Sequence, residues 1–179
     1  MSNIQTIVAA AAFMLAGGSI AEAQNAKAAA GPTDAEIAAI VVAANAVDAE
    51  IGDVAAARAT NPEIKKFGKT MGTDHRAVNK AAGDLVAKLK VTPVENSVSE
   101  KLRADGEAFA AQLKGKSGAD FDRAYIEHEV EYHKAVIAAV DDVLIPNAKN
   151  EELKQTLVSV RPALVAHLEH AQHLLAGLK

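Results

Sequence analysis

The sequence contains no cysteine and no tryptophan, and its aromatic residues are limited to two tyrosines and four phenylalanines. Without cysteine, disulfides, thiolate-held zinc and iron–sulfur clusters are excluded, so nitrogen and oxygen must hold any bound metal. Lysine and arginine form no cluster and the formal net charge is −4, so no nucleic-acid partner is predicted. The sequence also lacks a glycine-rich phosphate loop and a serine or threonine in a nucleophile-type turn. Nucleophilic and phosphate-loop catalysis are therefore not predicted, and a redox or di-metal enzyme remains only the weaker alternative to a non-enzymatic role.

Alternating runs of valine, isoleucine, threonine and tyrosine are also scarce, whereas alanine is abundant. This balance favours helices over strands. A chain of 179 residues is long enough to bury one independent core. We therefore predict an all-α fold in a single domain.

The first 23 residues resemble a cleaved export signal. An apolar run from Ile4 to Leu15 is followed by Ala21-Glu22-Ala23, the small-x-small pattern that a signal peptidase accepts. The run is shorter than the roughly 20 apolar residues of a spanning helix, so no stable membrane insertion is expected after cleavage. We predict a signal peptide at 1–23, a flexible linker at 24–32 and a helical domain at 33–179. The mature protein is expected in the periplasm or otherwise exported, without a lipid anchor.

Apolar residues recur at helical spacing in five segments of the domain. Thr33 or Asp34 is predicted to cap the first helix, Asn61 the second and Asp120 the fourth. The predicted helices run from Asp34, from Asn61 to about Lys90, from Val98 to Leu113, from Asp120 to Leu144, and from Asn150 to Leu178. Four are long and the third is shorter, which indicates an antiparallel four-helix bundle with one extra short helix.

The segment from Asp120 to Leu144 carries Glu129 and His133 inside its apolar face. Residues four apart lie about 40° apart around a helix, so these two side chains can share one ligand. An unpaired buried carboxylate is costly, and a cation, a proton or a paired base would relieve that cost.

Two other helices also place a histidine on their apolar stripes. His75 lies on the centre line of the second helix, and His167 lies on the stripe of the last. In the first helix, Asp48 and Glu50 fall on opposite edges of the stripe, and Glu50 is the predicted fifth ligand. His128, His170 and His173 are interpreted mainly as surface residues or as hydrogen-bond partners of the ligands.

Inward histidines on three helices, with a carboxylate beside one of them, favour a shared metal site. Imidazole suits several transition metals, so zinc, iron and copper all remain candidates. The alternative is a metal-free bundle in which Glu129 pairs with His133, while His75 and His167 pair with Tyr125 or backbone carbonyls. In that case the protein would be a periplasmic interaction or structural module, recognisable by a large exposed apolar patch.

Several motifs together resemble the bacterial domain-of-unknown-function family 4142. They are Glu50-Ile51, Asn61-Pro62-Glu63-Ile64-Lys65-Lys66-Phe67-Gly68, Met71-Gly72-Thr73-Asp74-His75, Phe121-Asp122-Arg123-Ala124-Tyr125-Ile126 followed by His133, and Arg161-Pro162-Ala163-Leu164 followed by His167-Leu168. The resemblance extends over roughly Asp34 to Leu175.

The resemblance implies a ferritin-like four-helix bundle that is exported in bacteria, often labelled an outer-membrane protein, with no established activity. The paired Glu-x-x-His motifs of ferritin-like di-iron proteins are absent, because Glu129 precedes His133 by four residues and no glutamate stands three before His167. We therefore expect one transition-metal ion, and a role in metal buffering, storage or an envelope stress response.

Overall fold

Helices occupy most of residues 31–178, the part of the chain that this computed structural model describes. They are α1 (Asp34–Arg58), α2 (Pro62–Leu89), α3 (Ser97–Lys114), α4 (Gly118–Ala139), a π-helical turn (Val140–Leu144), α5 (Ile145–Asn147) and α6 (Glu151–Gly177). No strand occurs among these residues, so the all-α prediction is confirmed. The predicted signal peptide and most of the linker lie outside them. No helix of the described part combines the length and apolar character needed to span a bilayer.

Most helix starts follow from local capping chemistry. Thr33 and Glu36 form a capping box at α1, and the side chains of Asn61 and Asn150 accept backbone hydrogen bonds at the starts of α2 and α6. The predicted cap at Asp120 is wrong, because α4 already begins at Gly118. Asp120 instead lies in the first turn, where its charge favours the helix N-terminus.

The helix directions follow from contacts at the two ends of the bundle. At one end, Asp34 accepts hydrogen bonds from the backbone of Lys149 and Asn150, and the Ala35 carbonyl accepts one from Val94. At the other end, Arg58 donates to carbonyls at the end of α3, including that of Leu113. Helices α1 and α6 therefore run one way while α2 and α4 run the other. Helix α3 makes the crossover, the connection that ferritin-like bundles use between two parallel helices.

Glycines bring the backbones of α1 and α2 into direct contact. A Cβ atom added to Gly52 would lie 2.8 Å from the Gly68 carbonyl oxygen and 2.9 Å from the Gly72 nitrogen. A Cβ on Gly68 would meet the Gly52 oxygen at 2.7 Å. Small residues at a crossing allow helix axes to approach more closely than the usual 8–10 Å. This contact lies about one turn from Asp48 and one to two turns from His75.

Replacing Gly52 with alanine should destabilise the fold by about 1–3 kcal/mol, because the added methyl group meets backbone atoms that cannot rotate away. Gly83 in the same hairpin has no atom within 4 Å of its added Cβ, so Gly83→Ala should stabilise α2 by about 0.5–1 kcal/mol. Urea unfolding followed by circular dichroism measures both changes. Equal effects of the two substitutions would show that α1 and α2 do not touch at Gly52.

Buried side chains form two apolar clusters along the bundle. One is centred on Phe67, Phe121 and Tyr125, and the other joins Ile37 and Leu144 with leucines of α6. The π-helical turn explains why Leu144 is buried while its neighbour Val143 is 41% exposed. Its wider turn shifts the inward positions by one residue.

Candidate metal centre

Four helices bring acidic and histidine side chains together between the two apolar clusters. One nitrogen from each of His75, His133 and His167 lies within 4.8 Å of the other two. A second group, also within 4.8 Å, joins His133 to carboxylate oxygens of Asp48 and Glu129. His133 belongs to both groups, so the five residues form one continuous cluster.

A close approach between ligand-type atoms connects α1 with α2. Asp48 Oδ2 lies 3.2 Å from His75 Nε2 and 3.7 Å from His133 Nε2. Tetrahedral zinc with bonds of about 2.0–2.1 Å would separate its ligand atoms by about 3.3 Å. The two observed distances bracket this value, so Asp48 Oδ2 lies at about the spacing of a fellow ligand from each of these two histidine nitrogens.

Each histidine has one ring nitrogen bound to an oxygen acceptor. His75 Nδ1 is 2.8 Å from Asn45 Oδ1, and His133 Nδ1 is 3.0 Å from the Glu129 carbonyl oxygen. His167 Nε2 is 3.1 Å from Asp74 Oδ2. These oxygens accept, so the three nitrogens carry the protons and the remaining nitrogen of each ring has its lone pair free.

The remaining nitrogens have no hydrogen-bond partner in the described part of the chain. His75 Nε2, His133 Nε2 and His167 Nδ1 are all buried in this state, as are both oxygens of Asp48. Metal-binding histidines usually have this arrangement, with one nitrogen on the ion and the other donating to a carboxylate or carbonyl. The cluster therefore presents three imidazole lone pairs, with Asp48 Oδ2 3.2 Å from one of these nitrogens and 3.7 Å from another.

Asp122, a buried carboxylate elsewhere in the bundle, has the hydrogen-bond donors that the two oxygens of Asp48 lack in the described residues. Asp122 and Asp48 are each only 2% exposed. Asp122 accepts hydrogen bonds from the Thr60 backbone and hydroxyl and from the Asn61 backbone, at 2.6 to 2.9 Å. These bonds fasten the α1–α2 loop to α4 and satisfy the charge. No such donors face Asp48 within residues 31–178.

Burial moves every titratable group of the cluster toward its neutral form. Desolvation raises the pKa of Asp48 to about 8, and desolvation together with the charge of Asp48 raises the pKa of Glu129 well above its ordinary value. Desolvation, with repulsion from the other histidines, lowers the pKa of His75 to about 3 and that of His133 to about 4. A divalent cation would lower the pKa values of Asp48 and Glu129 again and so keep both ionised. It would leave the imidazoles neutral, as metal ligands must be.

The predicted ligands His75, Glu129, His133 and His167 all lie in this cluster, but Glu50 does not. Glu50 is exposed and belongs to neither ligand group. Residues two apart lie about 200° apart around a helix, so only one of Asp48 and Glu50 can face inward. Helices α2 and α3 pack on both sides of α1, which turns Asp48 inward and leaves Glu50 in solvent.

The sequence patterns indicate no role for Asn45, and they do not decide whether Asp74 is a ligand or a surface charge of its helix. Asn45 donates from its amide nitrogen to the Val41 carbonyl at 2.8 Å, which orients its oxygen toward His75. Its spacing three residues before Asp48 was the available signal, because residues at that spacing share a helix face. Asp74 reaches His167 across the α2–α6 contact, and no spacing within α2 indicates that pairing.

The other three histidines lie outside the ligand groups. His128 stacks on the Phe109 ring at 3.7 Å between centroids, and burial lowers its pKa to about 4. His170 is exposed and packs edge-on against Phe67 at 5.1 Å, and His173 is exposed.

Comparisons with curated proteins and with solved structures found no match. One protein-family profile does match, over residues 19–174, and its description is "Domain of unknown function (DUF4142)". The matched range includes all five residues of the cluster. The chain therefore belongs to the DUF4142 family.

Proposed function

We propose that the protein binds one transition-metal ion between α1, α2, α4 and α6. His75, His133 and His167 would supply nitrogen and Asp48 would supply oxygen, with Glu129 beside them as a further acidic group. The observation that carries the proposal is the set of buried, unpartnered ligand atoms: three imidazole nitrogens and both oxygens of Asp48. Native proteins rarely leave so many buried polar atoms together without a partner.

The metal-free alternative explains fewer of these atoms. A protonated Asp48 could donate to one imidazole nitrogen, and Glu129 Oε2 lies 3.4 Å from His133 Nδ1, but two imidazole lone pairs would stay without a partner in the described residues. The exposed large apolar side chains of this part are the valines at 94, 98, 143 and 158. Single exposed valines are ordinary on protein surfaces, so they give a dedicated interaction module little support.

The cellular role we infer is metal buffering or storage outside the cytoplasm, or protection of the cell envelope during stress. The export-signal pattern at 1–23 supports the location. The nitrogen-rich ligand set suits zinc, copper or iron, and the lack of cysteine fits a compartment in which thiol ligands would be oxidised.

Elemental analysis of the protein purified from its own host without a His tag tests the proposal. We expect about one transition-metal ion per chain, and we expect its loss from the His75→Ala/His133→Ala variant, which removes two of the nitrogen ligands. His170→Ala/His173→Ala removes the same number of histidines from exposed positions and should keep the ion. A metal-free wild type whose melting temperature does not respond to zinc, copper, nickel or iron would refute the proposal.

A further inference from the structure

A cavity of about 580 Å³ lies beside the cluster, and residues of α1, α2, α3, α4 and α6 form its wall. Its size falls within the roughly 300–1,000 Å³ range of small-molecule sites. A second cavity, between α1, α2 and α6, measures only about 20 Å³ and has room for about one water molecule. The large space is therefore a feature of one part of the bundle.

Small side chains on several helices keep this space open. Each of the five helices contributes at least one alanine or glycine to the wall, namely Ala44, Ala77, Gly106, Ala139 and Ala163. Protein interiors are normally filled to the density of organic crystals, which larger side chains at these positions would achieve. The cavity therefore results from the choice of residue on every helix around it.

The polar residues of the wall do not offer free polar atoms to the cavity. The unpartnered nitrogens of the three cluster histidines and both oxygens of Asp48 have almost no accessible surface. The Asn45 amide donates to the Val41 carbonyl at 2.8 Å, and the Tyr132 hydroxyl donates to the Ala44 carbonyl at 2.8 Å. These residues therefore border the cavity mainly with carbon atoms.

The charged residues at the edge of the cavity are acidic and already paired. Asp74 and Asp105 line it and are exposed, and no lysine or arginine of the described residues lines it. Asp74 contacts His167, and Asp105 accepts from the Lys101 ammonium group at 2.8 Å. An anion in the cavity would lose its hydration, meet like charges and find no donor.

The rest of the wall is aliphatic over a considerable length. Leu157 and His167 are ten residues apart on α6, which corresponds to about 15 Å along the helix. Val136 and Val140 on α4 and Ile40 on α1 line the same space. A buried water needs two to four polar partners, so an aliphatic space of this kind stays dry. An apolar molecule that fills it gains the dispersion contacts that empty space forfeits.

A ligand can reach the cavity from the side. Val98 and Asp105 on α3 and Ala135 on α4 line it and are exposed. Val98 is one of the exposed large apolar side chains of the described residues, at 52% exposure. These residues mark an opening between α3 and α4, through which a ligand could enter without separation of the helices that carry the cluster.

We propose that this cavity binds a neutral, apolar small molecule, held by the aliphatic side chains of α1, α4 and α6. The wall offers carbon surface and no free hydrogen-bonding atom, so it favours a ligand without a charged group. The ligand makes no bond to the proposed ion or to the cluster nitrogens. The inference therefore goes beyond the proposed function and does not rest on it.

Two fluorescent dyes with the same rings test the inference on the purified protein. N-phenylnaphthylamine is neutral, and its fluorescence rises in apolar surroundings. We expect it to bind saturably, with about one dye per chain, equally in chelator and with zinc. Anilinonaphthalene sulfonate adds one sulfonate to the same rings, and it should bind at least about tenfold more weakly because the wall has no partner for the charge.

Cavity-filling variants locate the bound dye. Ala139→Phe places a ring in the cavity from α4 and should weaken binding of the neutral dye by about tenfold or more. Val160→Phe enlarges a lining residue of α6, and it replaces the first variant if that one does not fold. Ala138→Phe is the matched control, because residue 138 is exposed and does not line the cavity.

The inference would be overturned by the absence of saturable binding of the neutral dye, by equal binding of the two dyes, or by undiminished binding to a folded cavity-filling variant. Binding only in the presence of zinc would overturn it as well, because the ion and not the wall would then hold the dye. The metal content of the same samples separates the two proposals. Dye binding by a protein that takes up no metal would refute the metal site and leave the cavity assignment standing. Metal retention without dye binding would do the opposite.

Discussion

Replacing Asp48 with asparagine should stabilise the metal-free protein at pH 7 by about 2–4 kcal/mol. Burial raises the pKa of Asp48 from 3.8 to about 8, so the folded protein must keep a proton that the unfolded chain releases. Asparagine occupies nearly the same volume and does not titrate, which removes this cost. For a domain of this size, the change corresponds to a rise of about 5–15 °C in melting temperature.

The same substitution should abolish most of the stabilisation that a bound ion provides. An ion present at a thousandfold excess over its Kd stabilises the folded state by about 4 kcal/mol, and Asp48 Oδ2 lies 3.2 Å from the free nitrogen of His75 and 3.7 Å from that of His133. Thermal unfolding with chelator and with zinc should therefore show opposite orders of stability: the variant above wild type without metal, and below it with metal.

Glu50→Gln is the matched control for Asp48→Asn. It neutralises an acidic residue on the same helix, but Glu50 is exposed, so the free energy of unfolding should stay within about 0.5 kcal/mol of wild type both with chelator and with zinc. An Asp48→Asn variant less stable than wild type in chelator would show that Asp48 has a stabilising partner in the metal-free protein.

The metal-free protein should be most stable near pH 6.5, the ordinary pKa of histidine, and should lose stability on both sides of it. The folded-state pKa values of His75 and His133 are lowered to about 3 and about 4, so between these values and 6.5 the unfolded chain binds more protons. Stability from the histidines therefore rises with pH up to about 6.5. The raised pKa of Asp48 acts in the opposite direction, from about 3.8 to about 8.

Below pH 6.5, His75, His133 and His128, whose pKa values are all lowered, outnumber the two acids whose pKa values are raised, Asp48 and Glu129. Above pH 6.5 only the contribution of the two acids remains. Glu129, whose pKa is also raised, adds to the decline at higher pH. From Asp48 alone, the loss between pH 6.5 and pH 8 should be about 2 kcal/mol.

Urea unfolding in chelator, from about pH 5 to about pH 9, measures this profile. Saturating zinc should remove the decline above the maximum, because the ion keeps the acids ionised in the folded state. A stability that climbs without a maximum to the alkaline end, in chelator, would show that Asp48 ionises in the folded protein without cost.

The helices and most of the cluster could be predicted because each depends on one helix at a time. The spacing of Glu129 and His133 places both on a single face of α4, and His75 lies on a single stripe of α2. The cap at Asn61 is equally local, and the structure has it.

The rest depends on which helices become neighbours. Helix α1 is covered by α2 on one side and α3 on the other, so its apolar stripe is too broad to show that Asp48, and not Glu50, faces inward. The contact at Gly52 is invisible to hydrophobic patterning, because a glycine has no side chain. The cavity of about 580 Å³ beside the cluster cannot be predicted either. It exists because the small alanine and valine side chains of several helices leave space between them unfilled.

The glycine contact between α1 and α2 also bears on the order of folding. The two helices are adjacent in the chain and joined by a short loop, so their contacts are local and form quickly. This hairpin carries Asp48 and His75, whereas Glu129, His133 and His167 lie in the later half of the chain. The ligand set is thus complete only once both halves have docked. An ion bound there would mainly lower the unfolding rate. Its contacts form after those of the α1–α2 hairpin during folding, and they break before those of the hairpin during unfolding.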